Sequence, residues 1–237
     1  MTTATDVASA AWAALATVRD PELDKPVTDL GFVASCDVSP DGTVPTEGHV
    51  RIRLRLPTYF CAPNFAYLMV ADAYDAVSAV PGVRSAVVVL EDHFASGAIN
   101  TGAAARAGFV ASFDGEAVAE LDELRAAFLR KAVMAGTDLV CRPLLEAGTA
   151  PDALPAMTLR DVPPSPDLDR LRRRRAELNL PADDGALLVI DPATGEGITA
   201  ERMPLHLRRA RVTRAGIEAN TSICSGMLRH RYQEEDS

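Results

Sequence analysis

A chain of 237 residues, 48% of them hydrophobic, is long enough to bury a core and too apolar for a disordered tail. Its formal charge of −9 argues against general nucleic-acid binding, which needs a surplus of Lys and Arg to neutralise phosphates. No run of about 18 apolar residues exists, so a membrane-spanning helix is not expected, and without a basic n-region before the first Ala-rich run the expected location is cytoplasmic.

The charge is uneven. Residues 1–93 hold 6 basic against 12 acidic side chains, a balance of −6, whereas residues 167–237 hold 12 of each. Three segments are expected: a first domain over 1–93, a connector with an amphipathic helix and a Pro-rich linker over 94–166, and a partly basic extension over 167–237.

In chain order, residues 6–18 predict a helix, with Trp12, Leu15 and Val18 at helical spacing; it ends before Pro21. The irregular run DPELDKPVTDLG leads to a strand over Gly31–Val38 and a turn at SPDGT. His49–Leu56 alternates strictly, with Val50, Ile52, Leu54 and Leu56 on one face and Arg51, Arg53 and Arg55 on the other. That is the pattern of a half-buried antiparallel strand. Residues 63–80 predict a helix with Pro63 at its first position, and Ser85–Leu90 a short central strand. The expected fold class is therefore α/β, a two-layer α+β unit of helix–strand–strand–helix–strand order followed by an α-rich extension.

Beyond it, residues 94–113 read as a connector or lid, 115–135 as an amphipathic helix, and 148–167 as a linker extended by five prolines. A basic helix over Asp167–Leu178, a strand ALLVID, a hairpin turn DPATGEG, a helix around MPLHLRRARV and a frayed RYQEEDS end complete the reading. Arg172–Arg175 read as a solvated helix face, with an acidic partner as the alternative.

The chemistry-bearing residues gather in two loops, Asp20-Pro21-Glu22 with Asp29, and Pro57-Thr58-Tyr59-Phe60-Cys61-Ala62-Pro63. Given the strand order above, both reach one end of the sheet. Cys61 would lie at a helix N-terminus, where free backbone N–H groups and the helix dipole favour thiolate, the form that ligates metal or attacks sulfur. Asp20, Glu22 and Asp29 could add oxygen ligands or a proton acceptor. The plainer alternative makes Asp20 a turn cap, Asp29 an acceptor of backbone N–H groups, and Cys61 a helix cap. Cys224 and His230, with His206, form a weaker alternative metal set, and His93 beside Glu91 and Asp92 reads as a solvated strand end, with a hard-metal cluster as the alternative. The cysteines form no C-x-x-C pair, so neither a disulfide framework nor a zinc ribbon is expected.

DPELDKPVTDLGFV, the PTYFCAP stretch and VPGVRSAVVVL, in that order over residues 6–93, resemble the three signatures of the metal-sulfur cluster assembly family that includes the PaaD and SufT proteins. The middle signature is closest to the PaaD form, with one residue fewer between Tyr59 and Cys61 and with Ala62 before Pro63. The paired cysteines of a PaaD-type C-terminal zinc site are absent, so that site is not carried over. Residues 94–237 are similar to extensions of members found with bacterial soluble di-iron, propane-type monooxygenases.

The resemblance implies a non-enzymatic maturation factor with a transient iron or iron-sulfur cargo handled at Cys61, Asp20, Glu22 and Asp29, on a loop supported by Thr58, Tyr59 and Pro63. The implied partners are a client iron-dependent oxygenase or other assembly factors, not nucleic acid or membrane, and a homo-oligomer is compatible with the same reading. The alternative is a scaffold subunit of an oxygenase complex in which Cys61 is only a cap. A self-sufficient enzyme is least supported, since no nucleophile–base–orienter set or phosphate loop is present.

Overall fold

The computed structural model describes residues 4–40, 48–113, 117 and 119–232. The turn expected at SPDGT lies largely outside these residues, as do the last five positions of the expected frayed end. The chain divides into two compact units, one of residues 1–121 with 221–237, the other of residues 122–220. These do not coincide with the expected segments 1–93, 94–166 and 167–237.

Unit 1 is the expected two-layer α+β arrangement. Helix α1 (Ala4–Leu15) is followed by a two-residue ladder, β1 (Arg19–Asp20) with β2 (Lys25–Pro26), inside the segment read as irregular. A three-stranded sheet follows, of β3 (Val33–Pro40), β4 (Gly48–Arg55) and β5 (Val83–Glu91), with α2 (Pro63–Ser78) crossing between the last two. Strand β4 is central, antiparallel to β3 and parallel to β5, so the expectation that the Ser85–Leu90 strand is central is corrected. The parallel pairing demands a crossover, and α2 supplies it.

The alternation in β4 survives as a burial pattern. Val50, Ile52, Leu54 and Leu56 are buried, and Arg51 is exposed. With Val88 and Leu90 of β5, they form the sheet side of a core to which α1 adds Val7, Ala11 and Leu15, and α2 adds Ala66, Val70, Ala73 and Val77. On the opposite face, Arg53 and Arg55 pair with Glu91 at 3.4 and 3.1 Å.

Residues 94–113 are not a connector. They hold α3 (Ser96–Ala104) and the single turn α4 (Phe109–Ser112), and Ile99 and Ala103 are buried in the same core.

Unit 2 contains α5 (Asp122–Glu146), α6 (Pro166–Glu177) and most of α7 (Met203–Tyr232), the last far longer than the helix expected near 203–212. Its core includes Leu154, Leu159 and Val162, so the Pro-rich stretch read as an extended linker is packed structure with two 3₁₀ turns, Leu154–Ala156 and Leu159–Asp161. ALLVID is not a strand: among the described residues it makes isolated bridges alone, Thr158 to Leu187 and Ile190 to Gly197. The second closes the expected DPATGEG hairpin, in which Asp191 N–H donates to the Glu196 carbonyl at 2.8 Å. No described helix is long and apolar enough to cross a membrane.

Candidate functional site

Because β4 and β5 run parallel, their C-terminal ends leave the sheet at one edge. Strand β3 is antiparallel to β4, so the chain entering it from Gly31 meets that same edge, with Val33 paired to Leu54. Three loops converge there: 20–31, 57–63, and Asp92-His93-Phe94.

Asp20 is 7% exposed. One carboxylate oxygen accepts the N–H groups of Glu22 (2.9 Å) and Leu23 (2.8 Å), so Asp20 does fix a turn. Burial nevertheless dominates its ionisation: desolvation raises its pKa from 3.8 to about 6 against the lowering effect of the two N–H donors. Glu22 is half-buried nearby. Asp29 is exposed, and accepts from the Thr28 hydroxyl at 3.3 Å.

The Cys61 loop runs into α2 through Ala62, whose carbonyl accepts from Phe65 and Ala66 N–H while no side chain caps the helix. Pro63 opens the helix, as expected. Cys61 therefore lies one residue outside the cap position and does not cap α2. Its thiol is half-buried, 3.3 Å from the Thr58 hydroxyl.

His93 is 3% exposed rather than a solvated strand end. Its Nδ1 accepts the Ala95 N–H at 3.2 Å, so Nε2 carries the proton and donates to the Cys61 carbonyl at 2.7 Å. Burial lowers its pKa, in keeping with the neutral ring. His93 thus holds the Cys61 loop by its backbone. The signal for this was a histidine directly after the last strand, which sequence reading assigned to solvent.

The loop presents Tyr59 (47% exposed) and Phe60 (76%) beside Phe94 (50%), with ring centroids 5.0 to 6.3 Å apart. A cavity of about 680 Å³ opens next to them, lined by Ala62, Pro63, Asn64, Phe94, Phe109 and Phe113 among others.

The alternative set of Cys224, His230 and His206 is divided between the units. His206 belongs to unit 2, where it is buried and lines a cavity of about 340 Å³ with Asp191, Arg202 and Arg209. His230 is exposed in unit 1. Cys224 is half-buried in unit 1. Burial raises its thiol pKa, and the charges of Asp20, Cys61 and Glu22, in that order, raise it further. Cys224 packs on the same core as Cys61, within electrostatic reach of the motif loops, a placement the sequence pattern does not signal. Among the described residues no group of three His, Cys, Asp or Glu side chains is placed to hold a metal ion.

No curated protein matches this chain. Residues 8–88, which carry most of α1 and of the three-stranded sheet, α2 and the Asp20 and Cys61 loops, match the family described as iron-sulfur cluster assembly protein.

Proposed function

We propose that this protein is a maturation factor that docks a client iron-dependent oxygenase and assists delivery of iron or an iron-sulfur cluster through Cys61. The family match over residues 8–88 supports a role in cluster assembly. The observation that carries the finer reading is the half-buried Cys61 thiol beside three exposed, mutually packed aromatic rings, Tyr59, Phe60 and Phe94. Exposed aromatics of this kind mark protein-binding surfaces, and here one flanks a thiol able to ligate iron. The oxygenase as client comes from the PaaD-like PTYFC run.

The test is co-expression of the client oxygenase with this protein, reading iron per oxygenase and activity. The wild type should raise both, and Cys61→Ser should remove most of the gain. The aromatic face alone also favours a scaffold reading. Under it, Cys61→Ser would leave the gain intact while Phe60→Asp would abolish it.

A further inference from the structure

The last turns of α7 are fastened to the sheet edge that carries the motif loops. Leu228 is buried and lies against Gly31, where an added Cβ would meet its Cδ2 at 3.4 Å. Arg231 donates to the Leu56 carbonyl at 3.1 Å and to the Asp92 carbonyl at 2.7 Å, just past the ends of β4 and β5. The Arg55 guanidinium stacks on the Tyr232 ring, 4.7 Å from its centroid.

Positions 224, 228 and 231 are spaced i, i+4 and i+7 and share one helix face. Cys224 therefore faces the same edge one turn before Leu228. It packs on the core of unit 1, as Cys61 does. Both cysteines are free thiols, each half-buried, and the carboxylates of Asp20 and Glu22 act on Cys224 together with Cys61.

We propose that Cys61 and Cys224 form a two-thiolate half-site for iron, as Fe²⁺ or an iron-sulfur fragment, whose remaining ligands come from the recipient protein. The inference rests on the function proposed above and specifies its cargo site. Thiolate iron sites take about four ligands, and no three-ligand set exists among the described residues. Two thiolates from this chain leave positions open for the recipient, which suits a metal that must be passed on. Loading is a proton exchange, in which Fe²⁺ and two thiols give a dithiolate complex and two protons released to solvent. Asp20 and Glu22 place negative charge beside the incoming cation.

Phenylarsine oxide reads the thiol geometry on the wild-type full chain, since its trivalent arsenic condenses with two neighbouring thiols and loses one water. One bridge joining Cys61 and Cys224 is expected on peptide mapping. Anaerobic Co²⁺ titration, read by thiolate-to-cobalt charge-transfer absorption, should weaken at least tenfold in both Cys61→Ala and Cys224→Ala and be unchanged in Cys36→Ala. Absence of the bridge, or wild-type cobalt binding by a folded Cys224→Ala chain, overturns the half-site. Loss confined to Cys61→Ala overturns it too, but leaves the Cys61 delivery role standing. A bridge and cobalt site both present, with client iron indifferent to either variant, supports the half-site and defeats the delivery role instead.

Discussion

Burial holds the Asp20 carboxyl where ionisation is costly, taking its pKa from 3.8 to about 6. Between those values the native chain binds more protons than the unfolded one, so stability falls as pH rises through this window. The penalty is absent below about pH 4 and complete above about pH 6. At about 1.4 kcal/mol per pKa unit it is on the order of 3 kcal/mol at neutral pH. Asp20→Asn keeps an oxygen to accept the Glu22 and Leu23 N–H groups without the charge. The variant should therefore be more stable than wild type at pH 7 by up to about 3 kcal/mol. Urea unfolding from pH 4 to 7.5 should show the two converging at the acid end, and parallel curves would refute a charge origin. A residue kept against stability, whose charge reaches the Cys224 thiol, is the expected mark of a working position.

At the scale of elements, α6 shows how far a charge run can depart from its surface reading. Arg175 is fully buried and donates to the carbonyls of Leu187 and Leu188; Arg172 reaches the Ala182 and Leu159 carbonyls and the Asp184 carboxylate. Burial lowers the Arg175 pKa only to about 10, so the guanidinium stays charged at neutral pH. The segment 186–191 forms no extended ladder, and these guanidinium groups take the place of strand partners for its carbonyls and those nearby. Arg175→Met should leave carbonyls unsatisfied and cost about 2–4 kcal/mol, whereas exposed Arg173→Ala should cost less than about 0.5 kcal/mol. Denaturant midpoints of the two variants, followed by far-ultraviolet circular dichroism, check the contrast. Arg214 is likewise committed, to Asp138 at 2.6 Å, so the basic side chains left to face a partner are fewer than the sequence suggests.

For the whole molecule, the boundary expected near residue 93 cuts through a core. Ile99, Ala103 and Leu228 belong to the same buried cluster as Val50 and Val70. A fragment of residues 1–93 should therefore lose native packing, seen as poor dispersion in its amide NMR spectrum and binding of a hydrophobic dye. A well-dispersed fragment would make those residues peripheral. Limited proteolysis should also spare residues 154–162, whose leucines are buried, and preferential cutting there would restore the linker reading.

Local periodicity carried much of unit 1 in the sequence. The alternation of β4 and Pro63 before α2 report burial and helix entry from neighbours a few residues away, and such signals need no tertiary knowledge. The loop motifs could be read for the same reason, as short runs of residue types on successive elements. The docking of Cys224 on the core that Cys61 also packs against, His93 holding the Cys61 carbonyl, the buried arginines of α6 and the packed 148–167 stretch could not. Each depends on a partner far along the chain, and its side chain has the composition of solvent-exposed or linker sequence. In unit 1 the parallel pairing of β4 with β5 and the docking of the last turns of α7 bring the distant segments of Cys61, His93 and Cys224 to one edge. In unit 2 the packing of its own core buries the α6 arginines and the 148–167 stretch, so burial changes what the same residues do.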